Sequence, residues 1–166
     1  MTSPSPSKNF SILYLLLMAV VGIIILLPSL DYQPLLSQGD HGRDLYCFEK
    51  SSQGQMAYRD YWWVYGPLMP CYYGFLYKLY GVSMLTALLG KSLLTLTAGL
   101  LFFLILNTFI SPAFAILGST WFLLFNQDFF FTYNHAGGIL MILAVLYCIT
   151  RYIKDPAEKY LSWGLM

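Results

Sequence analysis

The chain has 166 residues, of which 58% are hydrophobic, 18% aromatic and only 10% charged, with a formal net charge of +1. Soluble domains are about half apolar and a quarter charged, so this composition excludes an ordinary water-soluble globule and predicts a membrane chain. The near-zero net charge supplies neither a basic stripe for nucleic acid nor an acidic tail, so no nucleic-acid partner is expected.

Residues 10–30, FSILYLLLMAVVGIIILLPSL, are uncharged and long enough to cross a hydrocarbon core of ~30 Å at ~1.5 Å per residue. A secretory signal is the competing reading, but the run exceeds an h-region of about 7–15 residues and LPSLDYQP offers no small-residue cleavage site. It is read as an uncleaved first span. Residues 92–110 form a second span, with Lys91 at its start, where the ammonium can reach the headgroups. Residues 110–125 and 136–150 are shorter than the ~20 residues of a comfortable crossing, and tilt or local thinning would accommodate them. Pro112 suits the first turn of a new helix after the 107–111 turn, making 92–125 a tight helical hairpin.

The expected fold class is an all-α membrane protein with about four transmembrane helices and a long first external loop, 31–91, that contains interfacial helices. Arg151, Lys154 and Lys159 form a basic flank of the kind that stays cytoplasmic, and with Lys8 they place both ends inside. Arg43, Lys50, Arg59 and Lys78 lie in the outer segment, and long loops cross regardless of charge. Helices are expected over 41–53 and 67–80, lying along the interface with the aromatic rings of 58–65 at headgroup depth. Cys47, Cys71 and Cys148 are odd in number and lack C-x-x-C spacing, which argues against a disulfide framework or a zinc site.

The charges concentrate in SQGDHGRDLYCFEKSSQGQMAYRDYWWVYGPL, residues 37–68. Asp40, Asp44, Glu49 and Asp60 beside Arg43 and Arg59 offer general-base candidates together with cations for a phosphate, the two needs of group transfer from a lipid phosphate. Loop charges that merely pair with one another are an equally ready account of the spacing. No GxGxxG, P-loop, HExxH or nucleophile elbow is present, and the apolar spans lack the buried acids of an ion path.

The order Asp40-His41-Gly42-Arg43-Asp44-Leu45-Tyr46, then Gly54, Tyr58-Arg59-Asp60-Tyr61 and Tyr65-Gly66-Pro67-Leu68 resembles the first external loop of integral-membrane glycosyltransferases of the GT-C class. It is most similar to the protein mannosyltransferase and aminoarabinose transferase branch (glycosyltransferase family 39-like), whose loops read D-x-G-x-x-L-Y, G-x-x-P-Y-R-D-F and Y-P-P-L. The resemblance covers residues 10–150, and its specificity lies in the ordered set, since each piece alone is weak. It implies an inverting transferase of the cell (inner) membrane, with its site at the outer face and a polyprenyl-phosphate sugar as donor. Asp40 matches the family's catalytic acid, which accepts the acceptor's proton as the phosphate leaves. Arg43, Arg59, Asp60, Lys91 and His135 are expected to contact the donor phosphate or organise the site. Asp60 would be a ligand if a divalent cation, Mg or Mn, takes part.

Ala57 and Gly66 stand where relatives carry proline, and His41 occupies a position often acidic in them. Asp44 is then read as a structural partner of Arg43. Asn134-His135 resembles an element of the family's second external loop, here 125–139, from which Asp128 or His135 would reach the site; a helix cap is the alternative for His135. Family members have roughly twice as many spans, so a missing C-terminal half or a second chain is an expected partner. The rival functional reading is a non-catalytic multi-pass protein whose outer loop binds lipid or a partner chain.

This topology makes a direct prediction. Single cysteines at residues 38 and 53 of a cysteine-free chain should react with an impermeant maleimide on intact cells, and one at 154 only after permeabilisation. Labelling of residue 38 only in permeabilised cells would invert the topology.

Overall fold

The computed structural model describes residues 8–31, 39–126 and 133–154, with side chains from residue 12 onward. Gln38, Asp128, Lys159, the LSWGLM segment and the side chain of Lys8 lie outside the described residues.

The first apolar run forms α1, Lys8–Leu26, and tightens into a 3-10 turn, Leu27–Leu30. Pro28 sits in the first turn of that segment, where its missing N–H leaves no hydrogen bond unmade. The charged loop then forms α2, Gly39–Ser52, and α3, Leu68–Tyr80, within two residues of the expected bounds. Gly81, at φ 87°, ends α3 in a conformation that a side chain would strain. Ser83 follows immediately as the N-cap of α4, Met84–Phe109, its hydroxyl accepting the Thr86 N–H at 3.1 Å.

That cap corrects the sequence reading of Lys91. The helix begins at Met84 rather than at residue 92, so Lys91 lies two turns inside it and is only 8% exposed, between α4 and its neighbours. α5, Pro112–Asn126, starts at the expected proline after a two-residue break at Ile110 and Ser111. α6, Tyr133–Lys154, has 22 residues and is longer than the expected 136–150.

The described residues make an all-α membrane protein with no β-strand among them. Three segments are long and apolar enough to cross a membrane: Ile12–Leu30, Met84–Phe109 and Tyr133–Lys154. The 15 residues of α5 extend ~22 Å at ~1.5 Å per residue, less than a ~30 Å hydrocarbon core.

Contacts fix the direction of each helix. Met18 packs with Phe103, Gly22 faces Leu96, and the Ser29 and Ser92 hydroxyls meet at 3.4 Å, so α1 runs antiparallel to α4. Gly99 faces Leu123 and Gly118 faces Leu106, so α5 also runs against α4. Small residues at these crossings bring backbones close, as dispersion-driven packing in lipid requires. The Tyr133 hydroxyl meets Met84 Sδ at 3.4 Å, and Ala136 and Ile139 share a small cleft with Lys91 and Thr95, so α6 runs parallel to α4. The C-termini of α1 and α5 and the N-termini of α4 and α6 therefore meet at one end.

α2 and α3 form a second layer at that end. Tyr72 donates to the Gly90 carbonyl at 3.0 Å, and Gly90 leaves room for Tyr73 and Leu76. Phe48 of α2 stacks on Tyr73 of α3 with ring centroids 4.2 Å apart, and Tyr133 of α6 stands edge-on to both. With Trp63, Met69, Tyr77 and Ala87 these rings make a core separate from the Met18, Phe103, Ala115 and Leu123 cluster of the spans.

Gly74 sets the approach of α3 to α2, because a Cβ there would lie 2.7 Å from Ser51 Cβ and 3.0 Å from the Ser51 carbonyl carbon. Gly74→Ala should therefore cost about 1–3 kcal/mol and lower the melting temperature of the solubilised protein. Gly66→Ala, where a Cβ meets nothing within 4 Å, should melt like the parent.

Candidate functional site

The site is built on helix periodicity. Positions 40, 43, 44, 47 and 48 of α2 share one side of the helix, and Asp44, Cys47 and Phe48 are its buried stripe. Beyond α2 the chain reverses at Gly54, φ 86°, and makes a tight loop in which the Met56 N–H donates to Asp60 Oδ2 at 2.8 Å. Tyr58, at φ 67°, donates its hydroxyl to the Tyr65 carbonyl and closes the loop. The returning strand of loop runs back along α2: the Tyr61 and Ser51 hydroxyls meet at 2.5 Å, and Cys47 Sγ lies 3.8 Å from the Trp62 carbonyl oxygen. Trp63, held by its indole N–H donating to the Gly66 carbonyl at 3.1 Å, and Tyr65 thereby reach the first turns of α2.

Arg43 is the centre of this arrangement. Its Nη1 donates to Asp40 Oδ1 at 2.9 Å, while Nε and Nη2 donate to Asp44 Oδ1 at 3.3 and 3.0 Å. The guanidinium carbon lies 6.0 Å from the Trp63 ring centre and 5.3 Å from that of Tyr65, within cation–π range. Asp44 has no exposed surface, and its second oxygen accepts the Asn134 side-chain N–H at 2.5 Å. One carboxylate thus joins α2 to the first turn of α6, across ninety residues of sequence. His41 stands edge-on to Tyr133, and His135 edge-on to Tyr65.

Burial pushes the Asp44 carboxyl above its ordinary range, against the opposing pull of Arg43. Burial would pull the Arg43 guanidinium down, but Asp44, Tyr65 and Asp40 outweigh it and hold the group more firmly charged. The Cys47 thiol is raised by the same burial.

The structure brings three of the expected site residues together: Asp40, Arg43 and, through Tyr65, His135. Asp44 is the structural partner of Arg43 that the sequence reading expected. Arg59 and Asp60 stand apart, near Ser51 at the far end of α2, on the order of 15 Å along the helix axis from Asp40. They pair with each other at 2.7 and 2.9 Å, and Asp60 is held down to about 2 by Arg59 and by the Met56 N–H. Lys91 sits inside the bundle, beside Ala136 and Ile139.

Sequence reasoning missed the aromatic walls, Trp63 and Tyr65, and the Asn134 contact. The i, i+4 pair Asp40/Asp44, with Cys47 and Phe48 following on the same side, was the available sign that Asp44 faces inward.

Asp60 does not fit a divalent cation, because both its oxygens are already engaged by Arg59 and the Met56 N–H. Among the described residues no group of three His, Cys, Asp or Glu side chains is placed to hold a metal. The available chemistry is that of an exposed carboxylate beside a partly exposed guanidinium: the first can accept a proton, the second can hold an anion.

Asp44 generates a stability prediction. Its carboxyl titrates near 3.8 when unfolded and higher when folded, so the folded state binds more protons between the two values. The Asp44 contribution to stability falls as pH rises through that window and is level above it. Asp44→Asn should remove this falling limb from the pH dependence of denaturant unfolding. Asp44→Ala, which strands the buried Asn134 amide, should cost about 1–3 kcal/mol at neutral pH.

Comparison of the chain with protein-family models, with curated proteins and with solved structures finds no match. The functional reading therefore rests on the residues and their geometry.

Proposed function

We propose that the chain forms part of a GT-C type membrane glycosyltransferase that moves a sugar from a polyprenyl-phosphate donor to an acceptor at the outer membrane face. The observation that carries this reading is the meeting of Asp40 and Arg43 with the α6 turn of Asn134 and His135, at the end where four helix termini converge. A lipid-linked donor presents its phosphate at that depth, beside its membrane-embedded tail. In this reading α5 is the fourth crossing, α2 and α3 lie in the outer headgroup layer, and the exposed Tyr46, Trp62, Leu68 and Phe75 face lipid.

Asp40, with its side chain 63% exposed, is the base that takes the acceptor's proton. Arg43 holds the donor phosphate, its plane fixed by Trp63 and Tyr65. His135 orders Tyr65. Arg59 and Asp60 brace the loop that delivers those aromatic walls.

The test is transfer from a radiolabelled polyprenyl-phosphate sugar in native membranes carrying altered chromosomal copies. Asp40→Asn should lower turnover by about 10²–10⁴-fold while donor binding survives. Arg43→Ala should weaken donor binding, and Arg59→Ala should leave it within about twofold, the scale of an exposed ion pair.

A second reading, a non-catalytic membrane protein whose outer layer binds lipid or a partner chain, is favoured by one observation. Arg43 and Arg59 are both already paired with carboxylates of their own loop. Full turnover by Asp40→Asn at unchanged expression would select that alternative.

A further inference from the structure

The two carboxylates on Arg43 are not equivalent. Asp44 is wholly buried, touches two guanidinium nitrogens and is tied to α6 through Asn134. Breaking that contact strands a charge in the core, which is costly, so this edge of the guanidinium is fixed. Asp40 touches one nitrogen, Nη1, through one oxygen, and its side chain is largely in solvent. Exposed single-contact pairs of this kind are weak and open readily. The guanidinium itself retains 23% side-chain exposure, while Trp63 and Tyr65 keep its plane from following Asp40 outward.

We propose that Arg43 is a latch with one exchangeable edge: a phosphate anion displaces Asp40 from Nη1, while the Nε and Nη2 edge stays on Asp44. A phosphate monoester or diester carries its charge on several strong acceptor oxygens and suits the guanidinium fork better than one carboxylate oxygen does. Nη1 has a second proton, but a phosphate seated on it would lie against the Asp40 carboxylate, and the two negative charges oppose being held there together. Arrival of the anion therefore releases the Asp40 carboxylate into the site at the moment a base is needed, and its departure returns the carboxylate to Arg43. The exchange breaks one ion contact and makes another, with no covalent change. It rests on the transferase reading for the identity of the anion as a donor phosphate.

The experiment is calorimetric titration of the full chain in phosphatidylcholine nanodiscs with inorganic phosphate, with farnesyl phosphate and with farnesol. Because Asp40 competes for Nη1, Asp40→Asn should bind both phosphates about two- to fivefold more tightly, the fold-change that matches an exposed ion pair. The double variant Arg43→Gln/Asp44→Asn, which leaves no buried charge unpaired, should lose about tenfold or more. A larger response to farnesyl phosphate than to inorganic phosphate marks a lipid-borne source, equal responses mark a free anion, and either agrees with the latch. Farnesol should not respond to either change.

Unchanged or weaker phosphate binding by Asp40→Asn overturns the latch, as does absence of phosphate binding by the parent and Asp40→Asn chains alike. The two readings fail separately. Competition by Asp40 without sugar transfer keeps the latch and sinks the transferase, and transfer without such competition does the reverse.

Discussion

A carboxylate with no exposed surface, seated where a loop helix meets a membrane helix, is the constraint around which the α2–α3 layer of this protein is arranged. Asp44 is charge-paired to Arg43 on its own helix and hydrogen-bonded to Asn134 at the start of α6. A buried ion pair contributes little net stability, because desolvation offsets the attraction, but a lone buried charge is intolerable. α2 must therefore sit in the one register that delivers Asp44 to both partners. Phe48, one turn further on, then falls against Tyr73 and Tyr133, and Asp40, one turn back on the same side at the start of α2, stays exposed.

The aromatic core makes that register rigid. Phe48, Trp63, Tyr73 and Tyr133 come from α2, the following loop, α3 and α6, and their rings meet edge-on, tilted or stacked within 6.2 Å. Each ring buries much apolar area at low rotamer cost, so a small layer on the end of a helical bundle acquires a core of its own. The loop bearing Trp63 and Tyr65 is closed by the Tyr58 hydroxyl on the Tyr65 carbonyl and by the Asp60 turn. A preorganised guanidinium set against two aromatic rings that stand edge-on to each other results. The same layer leaves Tyr46, Trp62, Leu68 and Phe75 exposed at its surface, a pattern that fits a headgroup region better than water.

Much of this was legible in the residues. The uncharged runs announced α1 and α4 because a bilayer demands about 20 apolar residues whatever the partner helices are, while α6 was read as a shorter span than its 22 residues. Pro112 marked the start of α5, and the two loop helices fell within two residues of their expected bounds. The start of α4 was misjudged because hydropathy weighs Lys91 as an end signal, whereas the Ser83 cap and the small residues Ala87 and Gly90 let the helix begin earlier and bury the lysine stem. In the site, the adjacency of Asp40 and Arg43 was readable from i, i+3 spacing, since a helix brings such pairs together. Arg43 and Asp44 are neighbours that helix geometry turns apart, and they meet because the Arg43 side chain folds back.

What the sequence determined by itself was the membrane class, the long helices and the grouping of acids and bases in one loop, because each depends on composition or on neighbours along the chain. Tertiary structure alone decided which charges share a site. Arg43 and Arg59 are alike in sequence, each beside an aspartate, yet one lies against Trp63 and Tyr65 and is joined to α6 through Asp44, and the other is 66% exposed with Asp60 at the far end of α2. The difference arises from the path of the 53–67 loop and from the pairing of Asp44 with Asn134. Both join residues far apart in the chain, and no local propensity encodes such a meeting.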